Sequence, residues 1–454
     1  MIVNSTAPAT STNFHRKDDK KRYQPIQGYA DYNEAQNQLF SEWKQKLTNV
    51  YAEHGFTAFN SRPVEKWDNL RKDGTLQQVF RICRDNGDIT DLALPFDRTV
   101  SLALYIANYA GQICFPFKRS DIGVSHRGEQ PSPGRFRGFI QADVDIVSRG
   151  LTTLDDVECL VTLLDGLKVL GINNYTMFVN QIELPKAMVS SLGLSEEKIS
   201  QALRIIDKLD KHSEEEVLDL LLKLAPELDP IKSMDLIKVF KYKGSLEDFV
   251  VLPEWGEKAV IAVRELKDIY EYLQIYEINP LLVQFSPGMV RGLAYYTGLV
   301  FETFLNDFPQ LGSIASGGRY VNLVGDFNPN LSDIGGVGGS IGLTRLFDIM
   351  LRNELIAPKK ASVADISVGF QGIEQRAEAI NIATQLRKNG FAVDIFSSPN
   401  AKKFLGYADK KKIPYAVLVR HDGVALKMML NKHSQIEIDP KESTIERILS
   451  YVKK

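Results

Sequence analysis

Cysteine is scarce. The 454 residues hold three, Cys83, Cys114 and Cys159, odd in number, far apart and without a Cys-x-x-Cys pair. That argues against a disulfide framework and a thiolate zinc site, and fits a reducing cytoplasm. No run of about 18 apolar residues occurs, so no membrane-spanning helix is expected. Net charge is nearly absent as well, at −2, which excludes a globally basic nucleic-acid binder and any expectation of DNA as a partner, but leaves room for a local basic surface. No glycine-rich loop continues into Gly-Lys-Ser/Thr, so there is no P-loop. The first twenty residues lack the apolar segment of a signal peptide, and Asp18 and Asp19 do not suit a presequence. Residues 1–24 read as a flexible tail.

What remains is a soluble globular composition, 44% hydrophobic and 25% charged, long enough for two or three domains. Leu39, Phe40, Trp43, Leu47, Val50 and Tyr51 recur at helical spacing before Gly55. A short strand, Phe56 to Pro63, should follow. Val79–Cys83 and Ile89–Ala93 flank the turn Asp85-Asn-Gly-Asp88 and read as a hairpin whose second strand carries Asp91. Asp97 and Thr99 precede an apolar helix and read as its caps. Residues 186–268 change to charge-dense helices, an insertion within a unit spanning 25–185 and 269–355. After a linker near Pro358, strands and helices alternate through 363–454 as a compact α/β domain with a lysine-rich face.

One stretch stands apart, Ser125 to Ile146. Read as two strands about the turn Pro131-Ser-Pro-Gly134, it puts Arg127 and Glu129 on one face, then Arg135, Arg137, Phe139, Gln141, Asp143 and Asp145. The opposite face, Phe136, Gly138, Ile140, Ala142, Val144 and Ile146, is apolar and fit for a core. A row of arginines, carboxylates and a glutamine suits a ligand with both anionic and cationic parts. Arg291-Gly-Leu-Ala-Tyr-Tyr296, Ser316-Gly-Gly-Arg-Tyr320 and the glycine-rich run 334–342, leading into a helix with Arg345, add backbone that a ligand can approach closely.

Taken in order, Gly55 to Pro63, Asp91-Leu-Ala-Leu-Pro-Phe-Asp-Arg98, Arg127-x-Glu129, Gly134-Arg-x-Arg, Gln141, Arg291-Gly-Leu-x-Tyr-Tyr, Gly317-Gly-Arg-Tyr and Gly342-Leu-x-Arg345 resemble the class II aminoacyl-tRNA synthetases, and within them the histidyl-tRNA synthetases. The resemblance covers residues from about Gln27 to the C-terminus. It implies an α+β catalytic domain on an antiparallel sheet, a helical insertion, and a C-terminal α/β domain that binds the anticodon. It further implies an ATP-dependent histidine–tRNA ligase with Mg²⁺ on the phosphates, no metal held by the protein itself, and histidine tRNA, L-histidine and ATP as partners. A cytoplasmic homodimer closed through the segment ending at Pro63 is also implied.

Residue by residue, the resemblance assigns catalysis to Arg127, Arg291 and Arg345. ATP falls to Arg127, Glu129, Arg135, Arg137 and Arg345. Histidine falls to Asp91, Gln141, Asp145, Arg291, Tyr295 and Tyr296. The sequence departs from the family pattern at Ala93, where acid-x-Thr would place a threonine, at Ala294, where an acid is usual, and at Val321. A second reading is a catalytically silent relative, a regulatory subunit or a sensor of uncharged tRNA. Retention of Arg127, Arg291, Arg345, Gln141 and the C-terminal domain favours the enzyme.

Overall fold

The computed structural model describes residues 24–70, 78–290, 296–430, 434–438 and 444–452. Helix α1 (Glu34–Glu53) starts at a capping box. The Asn33 side chain accepts from the Gln36 amide at 3.0 Å, and Gln36 returns the contact at 2.9 Å. Its buried stripe is the expected one, Phe40, Trp43, Leu47, Val50 and Tyr51. Gly55, with φ +80°, turns the chain out of the helix.

The strands that follow build an eight-stranded sheet in the order β1-β5-β6-β11-β10-β9-β7-β8. These are β1 (Thr57–Ala58), β5 (Phe117–His126), β6 (Gly138–Ser148), β7 (Tyr175–Gln181), β8 (Val283–Phe285), β9 (Leu299–Leu305), β10 (Ala315–Tyr320) and β11 (Gly335–Ile341). Its interior pairs are antiparallel as expected, but at both edges the pairing is parallel, β1 with β5 and β7 with β8. The sheet is therefore mixed. A separate three-stranded sheet joins β2 (Glu65–Lys66), β3 (Arg81–Cys83) and β4 (Ile89–Ala93), then passes to helix α2 (Thr99–Tyr109).

The hairpin of β5 and β6 differs from its sequence reading in one respect. Strand β5 begins at Phe117 and ends at His126, so Arg127 and Glu129 lie in the connection rather than in the ladder. There the Arg127 amide donates to Arg137 O and the Gly128 amide to Gln78 O. Alternation holds for β6: Ala142, Val144 and Ile146 are wholly buried in the main core, against α1 and helix α3 (Thr153–Val169). Gln141, Asp143 and Asp145 occupy the other face. Gly166 of α3 lets the layers close, because a Cβ there would lie 3.1 Å from Ile341 Cδ1.

Between β7 and β8 the chain is helical: α4 (Glu183–Ser190), α5 (Glu196–Ile206), α6 (Glu214–Leu224), α7 (Pro230–Phe240) and α8 (Gly256–Ile275). After β11, helix α9 (Leu343–Arg352) presents Phe347, whose ring meets Phe40 and Trp43 edge-on at 4.9 and 5.1 Å. That anchors α9 on α1 and fixes where Arg345, one residue before Leu346, can reach.

The C-terminal region has its own core, centred on Ile366, Val368, Val417, Val419 and Leu426. Its sheet runs β13-β12-β14-β15-β16, from β12 (Ile366–Phe370), β13 (Val393–Ile395), β14 (Tyr415–Arg420), β15 (Gly423–Met428) and β16 (Gln435–Ile438). Helices α10 (Arg376–Lys388), α11 (Ala401–Lys410) and α12 (Thr444–Tyr451) pack on it, and Lys411 reaches back to Glu34 of α1 at 2.5 Å.

Candidate active site

On the sheet face opposite α1 and α3 lies a cleft of two lobes. They share Arg127, Gln141, Ser316 and Ser340. One lobe encloses about 150 Å³ and is lined by Asp97, Thr99, Asp143, Asp145, Tyr296 and Tyr320. An apolar cavity of roughly that size holds a benzene ring. The other encloses about 130 Å³ and is lined by Glu129, Arg135, Phe139 and Arg345. Negative charge gathers in the first lobe and positive charge in the second.

In the basic lobe, Arg127 is held by rings. Its guanidinium lies 4.6 Å from the Phe96 ring centre and 5.1 Å from that of Phe139, and Nε donates to Phe96 O. Among the described residues no carboxylate pairs with it. Arg345 donates from Nε to Gly134 O at 2.7 Å and from Nη1 to Ser313 O at 2.6 Å. Gly134, at φ +71°, brings that carbonyl inward from the hairpin turn. Burial, then the nearby charges of Arg135 and Arg127, holds the Arg345 pKa below the ordinary arginine value. Among the described residues Arg135 pairs with Glu129 alone, at 3.5 Å. Crowded guanidinium groups with so little counter-charge make a site for a polyanion.

The acidic lobe is deeper and differently built. Asp145 accepts from the Tyr320 hydroxyl at 2.7 Å on Oδ1, and its Oδ2 forms an ion pair with Arg119 at 2.8 Å. Burial lifts Asp145 to about 7 and Asp143 to about 6, with Arg119 the largest opposing influence in both. The Gln141 amide donates to Ser340 Oγ at 3.1 Å. Its Oε1, and Oδ1 of Asp143, are buried and have no hydrogen-bond partner among the described residues. Two orphaned acceptors need donors, and an ammonium supplies three. The strand opposite makes room: a Cβ on Gly338 would lie 2.1 Å from Asp145 Oδ1.

The residues singled out from sequence divide three ways. Arg127, Glu129, Arg135 and Arg345 meet in the basic lobe, and Gln141, Asp145 and Tyr296 line the acidic one. Arg291 and Tyr295, with Ala294, lie outside the described residues. Asp91 and Arg137 lie elsewhere. Asp91 is exposed on β4 and lines neither lobe. Arg137 turns away to pack on Gly28, its Nε donating to Glu129 O, because the connection before β6 breaks the alternation that would have set it beside Arg135.

An acid-x-Thr triplet does line the acidic lobe, and it is Asp97-Arg98-Thr99. The apparent loss of a threonine at Ala93 followed from starting six residues early. Asp97 also caps α2, accepting from the Val100 amide at 2.9 Å. The capping reading holds for Asp97 and gives no hint that the residue also lines the cleft.

Residues 28–346 match the sequence model of the histidyl-tRNA synthetases. The histidine–tRNA ligase of Finegoldia magna is 33% identical over 395 residues, 85% of this chain and 89% of that protein. That of Clostridium acetobutylicum is 31% identical over 435 residues, 93% and 98% of the two chains. The crystal structure of histidyl-tRNA synthetase from Nostoc sp. superposes with a TM-score of 0.83 at 29% identity, covering 94% of this chain and 99% of that one. The chain belongs to the histidyl-tRNA synthetase family.

Proposed function

We infer that the chain is a histidine–tRNA ligase, which activates histidine with ATP and transfers it to the 3′ end of histidine tRNA. The observation that carries this reading is the segregation of charge across one cleft, with Arg127 and Gln141 at the junction. Histidine lies in the acidic lobe and ATP in the basic one, so the carboxylate of the first meets the α-phosphate of the second at that junction.

The carboxylate oxygen attacks the α-phosphorus, the bond to the β-phosphate oxygen breaks, and pyrophosphate departs. Arg127 stabilises charge gathering on the α-phosphate, and its ring sandwich holds it ready without reorganisation. Arg345 and Arg135 take the phosphate tail and Glu129 the adenine side. Arg291 serves the histidine carboxylate. Asp97, Thr99 and Gln141 bind the α-ammonium, while Asp145, Tyr296 and the neighbouring Tyr295 read the imidazole. A site that accepts from a ring N–H rejects analogues lacking it, because the carboxylate lone pair turned to the cavity would then lose its donor.

Among the described residues no cluster of three His, Cys, Asp or Glu side chains could hold a metal. The donor set therefore fits Mg²⁺ held through the phosphates of ATP, where it would neutralise charge on the leaving pyrophosphate. The C-terminal α/β region is the anticodon binder, since unstacked loop bases are readable by side chains. The helices between β7 and β8 are an insertion, and the edge near β1 forms a homodimer. Among the described residues no helix is long and apolar enough to cross a membrane, and the cytoplasm is the proposed compartment.

Histidine-dependent exchange of labelled pyrophosphate into ATP tests the activation step, and charging of histidine tRNA tests the transfer. Absence of exchange in folded protein would overturn the reading. Exchange without charging would leave an enzyme that activates histidine for another acceptor.

A further inference from the structure

Beneath the acidic lobe lies a buried charge cluster that the reaction as described does not use. Arg119 of β5 is wholly buried. In the antiparallel register it stands directly opposite Asp145 of β6, as Asp121 stands opposite Asp143. Its Nη2 contacts Asp145 Oδ2 at 2.8 Å and its Nη1 contacts Asp121 Oδ2 at 3.1 Å. The other oxygen of Asp121 pairs with Arg98, the middle residue of the triplet that lines the lobe. Ser61 adds two donors to Asp121, from its amide at 3.1 Å and its hydroxyl at 2.5 Å. Room for the Arg98 guanidinium exists because residue 123 is glycine, where a Cβ would fall 2.4 Å from it.

Such a cluster is a costly way to fill a core. Removing a guanidinium from water costs several kcal/mol, and well-packed apolar residues often serve stability as well or better. Its geometry has a different use. Asp145 faces the cavity with its carboxylate fixed from both sides, by a hydrogen bond from Tyr320 on one oxygen and by the Arg119 ion pair on the other. The ion pair with Arg119 favours the ionised carboxylate, which is acceptor-only and keeps lone pairs for a ligand N–H.

We propose that Arg119 is a positioning residue of the histidine pocket. It keeps the Asp145 carboxylate ionised and aimed at the imidazole, and through Asp121 and Arg98 it ties that carboxylate to the Asp97–Thr99 segment on the ammonium side. This rests on the reading of Asp145 as the residue that meets the imidazole.

Among the described residues the groups facing Asp145 are Arg119 and Asp121 from β5, Asp143 beside it on β6, Tyr320 from β10, Tyr296 ahead of β9, and Cys159 from α3. Among these Arg119 is the cation, so it opposes both burial and the two neighbouring carboxylates. Without it, Asp145 would ionise only at more alkaline pH.

The test measures the histidine KM in pyrophosphate exchange between pH 6 and 9 for the parent, Arg119→Met, Arg119→Lys and Asp121→Asn. Arg119→Met should raise the histidine KM at least tenfold at pH 7, with the ATP KM little changed. Its KM should fall as pH rises, with the midpoint about one unit or more alkaline of the parent, the size of shift that an adjacent opposite charge produces. Arg119→Lys should recover part of that shift by restoring charge without the two-carboxylate bridge. Asp121→Asn, which removes a repelling carboxylate and frees Arg119 for Asp145, should move the midpoint the other way.

Substrate ionisation is common to all four proteins and cancels in the comparison. A histidine KM within twofold of the parent and a superimposable profile in Arg119→Met would overturn the proposal. Should that variant fail to fold, an unmoved or alkaline midpoint in Asp121→Asn would do so. Asp145→Asn, run alongside, separates the premises. An unchanged histidine KM there removes the imidazole reading itself, whereas a raised KM with no shift in the Arg119 variants removes the positioning role alone.

Discussion

The two lobes of the cleft hold charge in opposite ways. The basic lobe is assembled from a hairpin connection, a glycine turn and a helix start. Its arginines are held by rings and carbonyls, and their charge is left largely unneutralised. The acidic lobe is carved into the sheet itself, and its carboxylates are buried against Arg119 and Arg98. The contrast teaches which ligand each suits. A triphosphate brings enough charge to satisfy arginines left without counter-charge in any of several poses. A small zwitterion brings little, and must find its partners already placed and already ionised.

Mutation should break this comparison unequally. Arg127→Ala is expected to be the most damaging change. Loss of a preorganised donor to the reacting centre costs about a hundredfold to a thousandfold in turnover. Pyrophosphate exchange should show that loss in kcat, with the histidine KM nearly unchanged, and an equal loss in ATP binding would reassign the residue to plain ligand affinity. Asp97→Ala comes next. It should raise the histidine KM roughly a hundredfold, in the range for truncating a buried charged partner, while the ATP KM stays put. Thermal unfolding should also report the lost helix cap, about 1 kcal/mol.

Arg345→Lys keeps the charge but loses the fork that spans Gly134 O and Ser313 O. The ATP KM should rise about tenfold, the worth of one charge-assisted hydrogen bond at about 1.5 kcal/mol, with the histidine KM unmoved. The smallest effect belongs to Asp91→Ala. Steady-state constants for both substrates should stay within about twofold, as for an exposed surface change. A large rise in the histidine KM there would reject Asp97 as the ammonium ligand.

Sequence carried the basic lobe further than the acidic one, for physical reasons. Arg127, Glu129 and Arg135 each sit beside a glycine, and Arg345 follows Gly342 by three residues at a helix start, so their spacing survives into the fold. The apolar face of β6 was legible because period two is strict within a ladder. Arg137 was misread because that period does not extend into the connection before Gly138. The resemblance points to Asp91, which stands exposed on β4, while Asp97, an acid ahead of an apolar helix, reads only as a cap. Arg119 and Asp121 were not legible at all. Charged residues on a strand read as solvated, and only the pairing of β5 with β6 shows that they face an interior.

The floor of the acidic lobe bears on inhibitor resistance. Gly317 pairs with Gly339 and Gly318 with Gly338 across β10 and β11. The surface there is peptide backbone, with no side chain to trim or swap. Gly317, Gly338 and Gly339 line that floor and can change only by growing, and a Cβ would meet Gly338 O at 2.2 Å, Asp145 Oδ1 at 2.1 Å or Leu163 Cδ1 at 2.6 Å. A compound seated on that floor would contact atoms that single substitutions can alter only by damaging the pocket that histidine needs.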